Sequence, residues 1–212
     1  MVWQAVLMQY MGKTDFISYS RELISELATI QAKMHLLGFS FAKNQKRHER
    51  VLEELHETIA ERNTITEIKE KNSLDFLERG KEFFLSLSPN LPHGYNHLDY
   101  DTHGNVLVKD NKVTAILDFD DLSYSPCVVC LGYTLWHVIF DSNDTELAKQ
   151  YVIAYEKVRH LSKEEKSVLP QVILFRNYAI GAIELTVRKR YKYIQLIMNL
   201  EKVIKNLNFD DE

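Results

Sequence analysis

The stretch HLDYDTHGNVLVKDNKVTAILDFD, His97 to Asp120, sets five carboxylates, two histidines and two asparagines around a period-two apolar pattern. Val106 to Val108 reads as one strand and Val113 to Phe119 as the next. Asp110-Asn111 between them is a tight-turn pair, because both residue types tolerate positive φ. With that turn, Lys109 faces Lys112 and Asn105 falls opposite Ile116. Asp118 then lies diagonal to Asn105 on the same face, a separation of roughly 7–8 Å in an antiparallel pair. Val106 and Val108 share the other face with Val113, Ala115 and Leu117, which is the face to bury. A divalent ion can bridge an amide oxygen and a carboxylate across such a gap. Magnesium suits best, because it takes few protein oxygens and keeps waters and phosphates for the rest of its shell. The loop from His97 to Gly104 hangs over the same end. Asp99 or Asp101 can there approach a hydroxyl held beside a metal-bound phosphate, the arrangement phosphoryl transfer needs. Taken singly, each residue is an ordinary turn or cap. The joint pattern carries the reading: H-x-D, then an Asn opening a strand, then L-D-F-D closing its partner.

Outward from this segment the chain reads as helix. It has 212 residues, 45% of them hydrophobic, which is enough for a real core. Seven glycines and four prolines leave little room for long irregular loops. Leu23, Leu27, Ile30, Met34 and Leu37 form a helical stripe that Ser18 or Ser20 can cap and Gly38 can end. Residues 43 to 71 read as a mostly exposed charged helix, and a further helix is expected from Ser73 to about Leu87, stopped by Pro89. After the hairpin, Leu131 to Phe140 is one apolar segment. Ser162-Lys-Glu-Glu165 is a capping-box signature. Gln171 to Val187 reads as a central core helix, and a last helix is expected from Tyr191 to Asn206, followed by a frayed tail.

The formal net charge of −4 excludes the basic footprint of a nucleic-acid binder. Arg188, Lys189, Arg190 and Lys192 read as a solvated helix face. Cys127 and Cys130 form one CxxC in apolar surroundings without a second pair, the signature of buried reduced thiols rather than a zinc knuckle. MVWQAVLMQYMGK carries neither a basic leader nor a long apolar run, so a cytoplasmic protein without membrane segments is expected.

His97-x-Asp99, Asn105-Val-Leu-Val and Ala115-Ile-Leu-Asp118-Phe-Asp120 resemble the catalytic core of the aminoglycoside phosphotransferase and choline kinase-like enzymes, which share the protein-kinase-like fold. Leu91-Pro-His-Gly94 and Ser123-Tyr-Ser-Pro126 fit that core's surroundings. The resemblance implies an α+β, mainly α architecture: the C-terminal lobe of the protein-kinase-like fold with a short catalytic β-hairpin. Residues 1–12 would be a hinge-like strand meeting adenine near Gln9 and Met11. Residues 13–212 would be the helical lobe, with catalytic loop and hairpin at 91–124. Asp99 would be the catalytic base, with Asp101 able to take part of that role, and His97 would brace the loop. Asn105 and Asp118 would be the Mg2+ ligands, ATP or GTP the phosphoryl donor, and a small-molecule hydroxyl the acceptor.

Three departures stand out. Asp99 and Asn105 are one residue further apart than the family's D-x-x-x-x-N. Val129, Cys130 and Leu131 occupy the region where the family carries a loop-buttressing carboxylate. The resemblance begins at the hinge, so the expectation is a fragment of a longer enzyme or a natural short form that is weak, inactive or completed by a partner, the partners expected being an N-lobe or a second copy in a homo-oligomer. The first rival reading is a non-catalytic, pseudokinase-like binding domain. The second is a metallohydrolase using His93, His97, Asp99, Asp101 and His103. Histidine suits zinc or iron better than magnesium, but this spacing matches no H-x-H-x-D-H or H-E-x-x-H pattern.

Overall fold

The computed structural model describes residues 19–37, 82, 86–102, 104–186 and 194–209. The hinge-like strand expected at 1–12, the charged helix at 43–71, most of the helix expected at 73–87 and the tail beyond 209 lie outside the described residues.

Helix α1, Arg21–Leu36, begins where Ser20 accepts the Leu23 N–H at 3.1 Å, with Glu22 in the first turn to match the helix dipole. Its buried face is Leu23, Ile24, Leu27, Ala28, Gln31, Ala32 and His35. Of the expected stripe only Leu23 and Leu27 lie on this face; Ile30 and Met34 are half-buried and Leu37 is exposed, and two polar residues, Gln31 and His35, are buried instead. Strand β1, His93–Asn96, pairs antiparallel with β4, Ser123–Pro126, and β2, Val106–Lys109, pairs with β3, Lys112–Ile116. A short 3-10 turn covers Phe119–Asp121. The β1–β4 pair was not expected from the sequence, since HGYN and SYSP carry no apolar alternation. It works as a clasp that joins the two ends of the candidate catalytic segment. Asn96 Nδ2 locks it from inside, donating to the Ser125 carbonyl at 2.7 Å and lying 2.6 Å from Ser125 Oγ. A Cβ on Gly94 would sit 2.6 Å from the His35 carbonyl oxygen, so glycine lets the clasp lie against α1.

Helix α2, Cys127–Ser142, is buried along most of its length and forms the centre of the lobe. It starts four residues ahead of the expected apolar segment, directly from the clasp, and ends at Asn143 in the left-handed region. Helix α3, Thr145–Glu156, is capped by Asp144 and packs on α1. Helix α4, Lys163–Thr186, packs on α2, and α5, Ile194–Lys205, packs on α4. The capping box forms as read: Ser162 Oγ accepts from Glu165 N–H at 3.1 Å, and Glu165 Oε2 accepts from Ser162 N–H at 2.9 Å. The other Glu165 oxygen takes Arg159 Nη2 at 2.8 Å in a buried pair. The box and the apolar run from Gln171 belong to one helix, which continues through Pro170. A Cβ on Gly132 would lie 2.5 Å from Val172 Cγ1, so that glycine sets how closely α2 and α4 approach. Asn177 joins three helices, accepting from Trp136 Nε1 and donating to the Ile197 carbonyl, each at 2.9 Å.

His35 is a buried histidine between α1 and α3, with Nδ1 2.6 Å from Tyr155 Oη. Burial, with the Arg159 charge as a smaller cause, pushes its pKa from 6.5 down to about 3. The folded protein therefore refuses a proton that the unfolded chain accepts below pH 6.5. This contribution to stability is complete above that pH and is lost as pH falls from 6.5 toward 3. At ~1.4 kcal/mol per pH unit, urea unfolding at pH 5 should show a loss of about 2 kcal/mol relative to pH 6.5. His35→Asn should flatten that slope, and an unchanged slope would contradict the assignment.

Candidate active site

The candidate catalytic segment leaves β1 at His97 and returns to the clasp at Ser123. Its loop is tightly turned. Asp99 N–H donates to the His97 carbonyl at 2.8 Å, Asp101 N–H to the Asp99 carbonyl at 3.2 Å, and Val106 N–H to the Asp101 carbonyl at 2.8 Å. The last of these closes a wide turn that takes up the additional residue between Asp99 and Asn105. Asn105 is buried, and its Nδ2 donates to the Asp99 carbonyl at 3.0 Å and to Asp99 Oδ2 at 2.8 Å. The longer loop thus still closes Asn105 onto Asp99. With the amide nitrogen turned to Asp99, Oδ1 faces the other way and is the atom a cation would take.

The hairpin turn forms as read, with Asp110 at φ 52° and Asn111 at φ 59°, and Lys109 faces Lys112. The register above it differs from expectation. Val108 pairs with Val113, but Leu107 pairs with Ala115 and Val106 with Ile116. Thr114 is the additional residue of a bulge, and its Oγ1 donates to the Leu107 carbonyl at 3.1 Å. The bulge advances β3 by one residue, so the Asn105 carbonyl accepts from Leu117 N–H at 2.7 Å. Asn105 is therefore opposite Leu117 rather than Ile116. In a straight continuation the shift would turn Asp118 to the other face. Instead the ladder ends there: Asp118 takes φ 60° and ψ 62°, which re-aims its exposed side chain.

His97 is fully buried, and its Nε2–H donates to the Leu117 carbonyl at 2.7 Å. A carbonyl can only accept, so this bond fixes the tautomer. The ring also meets Phe119 edge-on at 5.0 Å. His97 therefore ties the loop of Asp99 to the residue preceding Asp118.

Sequence reasoning missed Arg176, which reaches the loop from α4. Its Nη2 lies 3.6 Å from Asp99 Oδ1 and 3.4 Å from His137 Nε2, and its guanidinium stacks 4.6 Å from the centre of the Tyr133 ring. The two Asp99 oxygens are thus held differently, one by Asn105 and one by Arg176. The available signal was its position as the one basic residue in the apolar run from Gln171 to Ile183. Asp99, Asp101 and His137 offer three ligand atoms within 4.8 Å of one another. His137 read from sequence as an ordinary helix residue. Among the described residues, neither His93 nor His97 of the set weighed for a metallohydrolase joins Asp99 and Asp101, which group with His137 instead. His93 Nδ1 is 2.6 Å from the Leu91 carbonyl, His97 Nε2 is committed to Leu117, and His103 lies outside the described residues. Gln9 and Met11 also lie outside them. Burial pushes the Cys127 thiol up to about 12 and raises Cys130 as well, so neither is a ready thiolate nucleophile.

A profile described as the phosphotransferase enzyme family, APH, matches residues 2–165. The chain belongs to that family. His97, Asp99, Asp101, Asn105 and Asp118 of this phosphotransferase-family chain fall inside the matched span, whereas Arg176 falls beyond it. Over 133 residues the chain is 27% identical to a hydroxylysine kinase of Xenopus laevis, covering 50% of this chain and 35% of that protein. The fold is that of an amicoumacin kinase solved with AMP-PNP, Ca2+ and Ami: TM-score 0.64, 15% identity, 93% of this chain and 65% of that one. It is also that of an aminoglycoside-3'-phosphotransferase of type VIII, with TM-score 0.56, 14% identity, 79% of this chain and 64% of that one. The architecture is thus the mainly helical lobe of the protein-kinase-like fold. The chain spans about a third of the hydroxylysine kinase and just under two thirds of these solved relatives. Among the described residues no helix is long and apolar enough to cross a membrane.

Proposed function

We propose that this chain is the catalytic lobe of a small-molecule kinase that moves the γ-phosphoryl group of ATP onto an acceptor hydroxyl. The observation that carries the reading is the closure of Asn105 and Arg176 onto opposite oxygens of one half-exposed carboxylate, Asp99. In the reaction, the acceptor oxygen forms a bond to the γ-phosphorus, and the bond from that phosphorus to the β–γ bridging oxygen breaks. Asp99 orients the hydroxyl and accepts its proton. The Asp118 carboxylate and the Asn105 amide oxygen are hard oxygen donors, the set that Mg2+ takes. When bound, Mg2+ would neutralise charge on the phosphates. His97 keeps the two halves of the site in register through Leu117, and Arg176 keeps Asp99 from turning away.

Asp99 and Asp101 bring carboxylate oxygens within 4.8 Å of each other, an acidic pair that suits an acceptor bearing an ammonium group. The similarity to a hydroxylysine kinase supports an amino alcohol or hydroxy amino acid. One observation favours a second reading, a non-catalytic binding domain: Cys130 stands in the region where the family carries a carboxylate. Incubation of the chain with ATP, Mg2+ and a panel of amino alcohols that includes hydroxylysine, followed by 31P NMR, separates the two. The kinase reading predicts a phosphomonoester signal. Nucleotide binding without turnover across the panel would favour the binding domain.

Arg176→Gln should lower kcat about tenfold, ~1.4 kcal/mol of transition-state stabilisation, with the KM for nucleotide nearly unchanged. Arg176→Lys should recover only part of that, because lysine cannot stack flat on Tyr133. An unchanged kcat in Arg176→Gln would remove Arg176 from the site.

A further inference from the structure

Beneath the catalytic loop lies a buried polar network with no charged member. Gln31 of α1 is fully buried and reaches across to α2. Its Nε2 lies 2.8 Å from Thr134 Oγ1, 3.3 Å from Cys130 Sγ and 3.4 Å from the Cys130 carbonyl oxygen. Its Oε1 accepts from Tyr151 Oη of α3 at 2.9 Å. Thr134 Oγ1 lies 3.3 Å from the Tyr100 carbonyl, to which it can donate. The Cys130 sulfur also lies near the backbone N–H groups of Leu98 and His97, which lower its pKa against the larger effect of burial. Three helices thus converge on the backbone of residues 97–100, the stretch that presents Asp99.

That backbone is strained. Leu98 has φ 58°, and a left-handed conformation costs a non-glycine residue of this kind about 1–2 kcal/mol. Such a residue persists only where its surroundings hold it in place, and it is found where a functional group must be presented. A Leu98 relaxed to a right-handed conformation would turn its N–H away from the sulfur. A thiol is a weak acceptor, but here it is buried, and Gln31 fixes its position.

We propose that Gln31, Cys130 and Thr134 form an uncharged seat that holds residues 97–100 in their left-handed turn and so positions Asp99. These are positioning residues, since none of them touches the reacting atoms. The seat stands in place of the carboxylate that the resemblance leads one to expect in this region. The kinetic part of the inference rests on the phosphotransferase reading, and the structural part does not.

The test is amide hydrogen exchange by 15N NMR on the full chain, comparing wild type with Cys130→Ala, Cys130→Ser, Thr134→Val and Ile139→Val. The seat predicts that the His97 and Leu98 amides exchange at least about tenfold faster in Cys130→Ala, with Cys130→Ser and Thr134→Val in between. Ile139→Val trims the same helix away from the loop. It should lower the unfolding temperature while leaving those two amides at the wild-type rate. Equal protection of the two amides in all variants would overturn the proposal, as would equal acceleration in Ile139→Val. Should Cys130→Ala not fold, the Cys130→Ser and Thr134→Val comparison decides on the same two amides. With an acceptor that turns over, Cys130→Ala should lower kcat about tenfold at constant KM for nucleotide, and Cys130→Ser should restore most of it. A raised KM with unchanged kcat would overturn the positioning role. Absence of turnover in the wild type would instead count against the phosphotransferase reading, while the exchange rates would still decide the seat.

Discussion

Asp99→Asn is expected to lower turnover by a factor of about 10²–10⁴, the range a positioned general base contributes, and to leave nucleotide affinity nearly unchanged. The substitution is close to isosteric. Asn105 Nδ2 can still donate to an amide oxygen at residue 99, and its second bond goes to the backbone carbonyl there, which the substitution does not touch. What disappears is a carboxylate able to take the acceptor's proton. Single-turnover kinetics with bound nucleotide check this, because a slowed chemical step then appears without interference from product release. If Asp99→Asn keeps wild-type turnover while Asp101→Asn loses it, the base is the other carboxylate of the loop. That outcome has a definite structural meaning, because Asp101 lies within the same small group of ligand atoms as Asp99 and His137.

Asp118→Asn should weaken binding of Mg2+–ATP at least about tenfold, ~1.4 kcal/mol, while affinity for ATP in the presence of a chelator changes little. Asparagine is the informative replacement at this position. Residue 118 sits at φ 60° and ψ 62°, a conformation that Asn accepts as readily as Asp, whereas Ala there would add strain to the loss of charge. An effect of Asp118→Asn is therefore an effect of charge. Isothermal titration with and without Mg2+ separates the two affinities. A loss of equal size in both conditions would mean that residue 118 acts on the nucleotide site without a cation.

The parts of this lobe that local chemistry determines were legible in the sequence. The Ser20 cap, the reciprocal bonds of Ser162 and Glu165, and the left-handed pair Asp110-Asn111 each depend on residues within three positions of one another. The clasp of β1 and β4 was not legible. Its strands are four residues each, polar, and paired only because the chain returns after a long excursion. The bulge at Thr114 was hidden for a different reason: valine and threonine fit a regular ladder as well as a bulged one, so nothing in the spacing marks the added residue. It nevertheless decides which residue faces Asn105. The loop around Asp99 illustrates the limit most clearly. The pattern H-x-D with a following Asn identified the candidate residues. The inserted residue looked like a defect until the wide turn from Asp101 to Val106 accounted for it. Arg176 and Cys130 come from elements remote in sequence, and only packing brings them to the loop.

The central claim is that Asn105 and Asp118 flank one cation beneath a nucleotide. It is tested most directly by adding ATP with Mn2+, a paramagnetic substitute for Mg2+, to 15N-labelled protein and following NMR line widths. The account predicts that the Asn105 side-chain amide and the backbone amides of Asp118 and Phe119 broaden beyond detection. The Lys163 amide at the start of α4, ~20 Å along that helix from Arg176, should stay sharp, and Asp118→Asn should reverse the broadening at the same concentrations. Sharp signals from residues 105, 118 and 119 at saturating Mn2+ and ATP would contradict it.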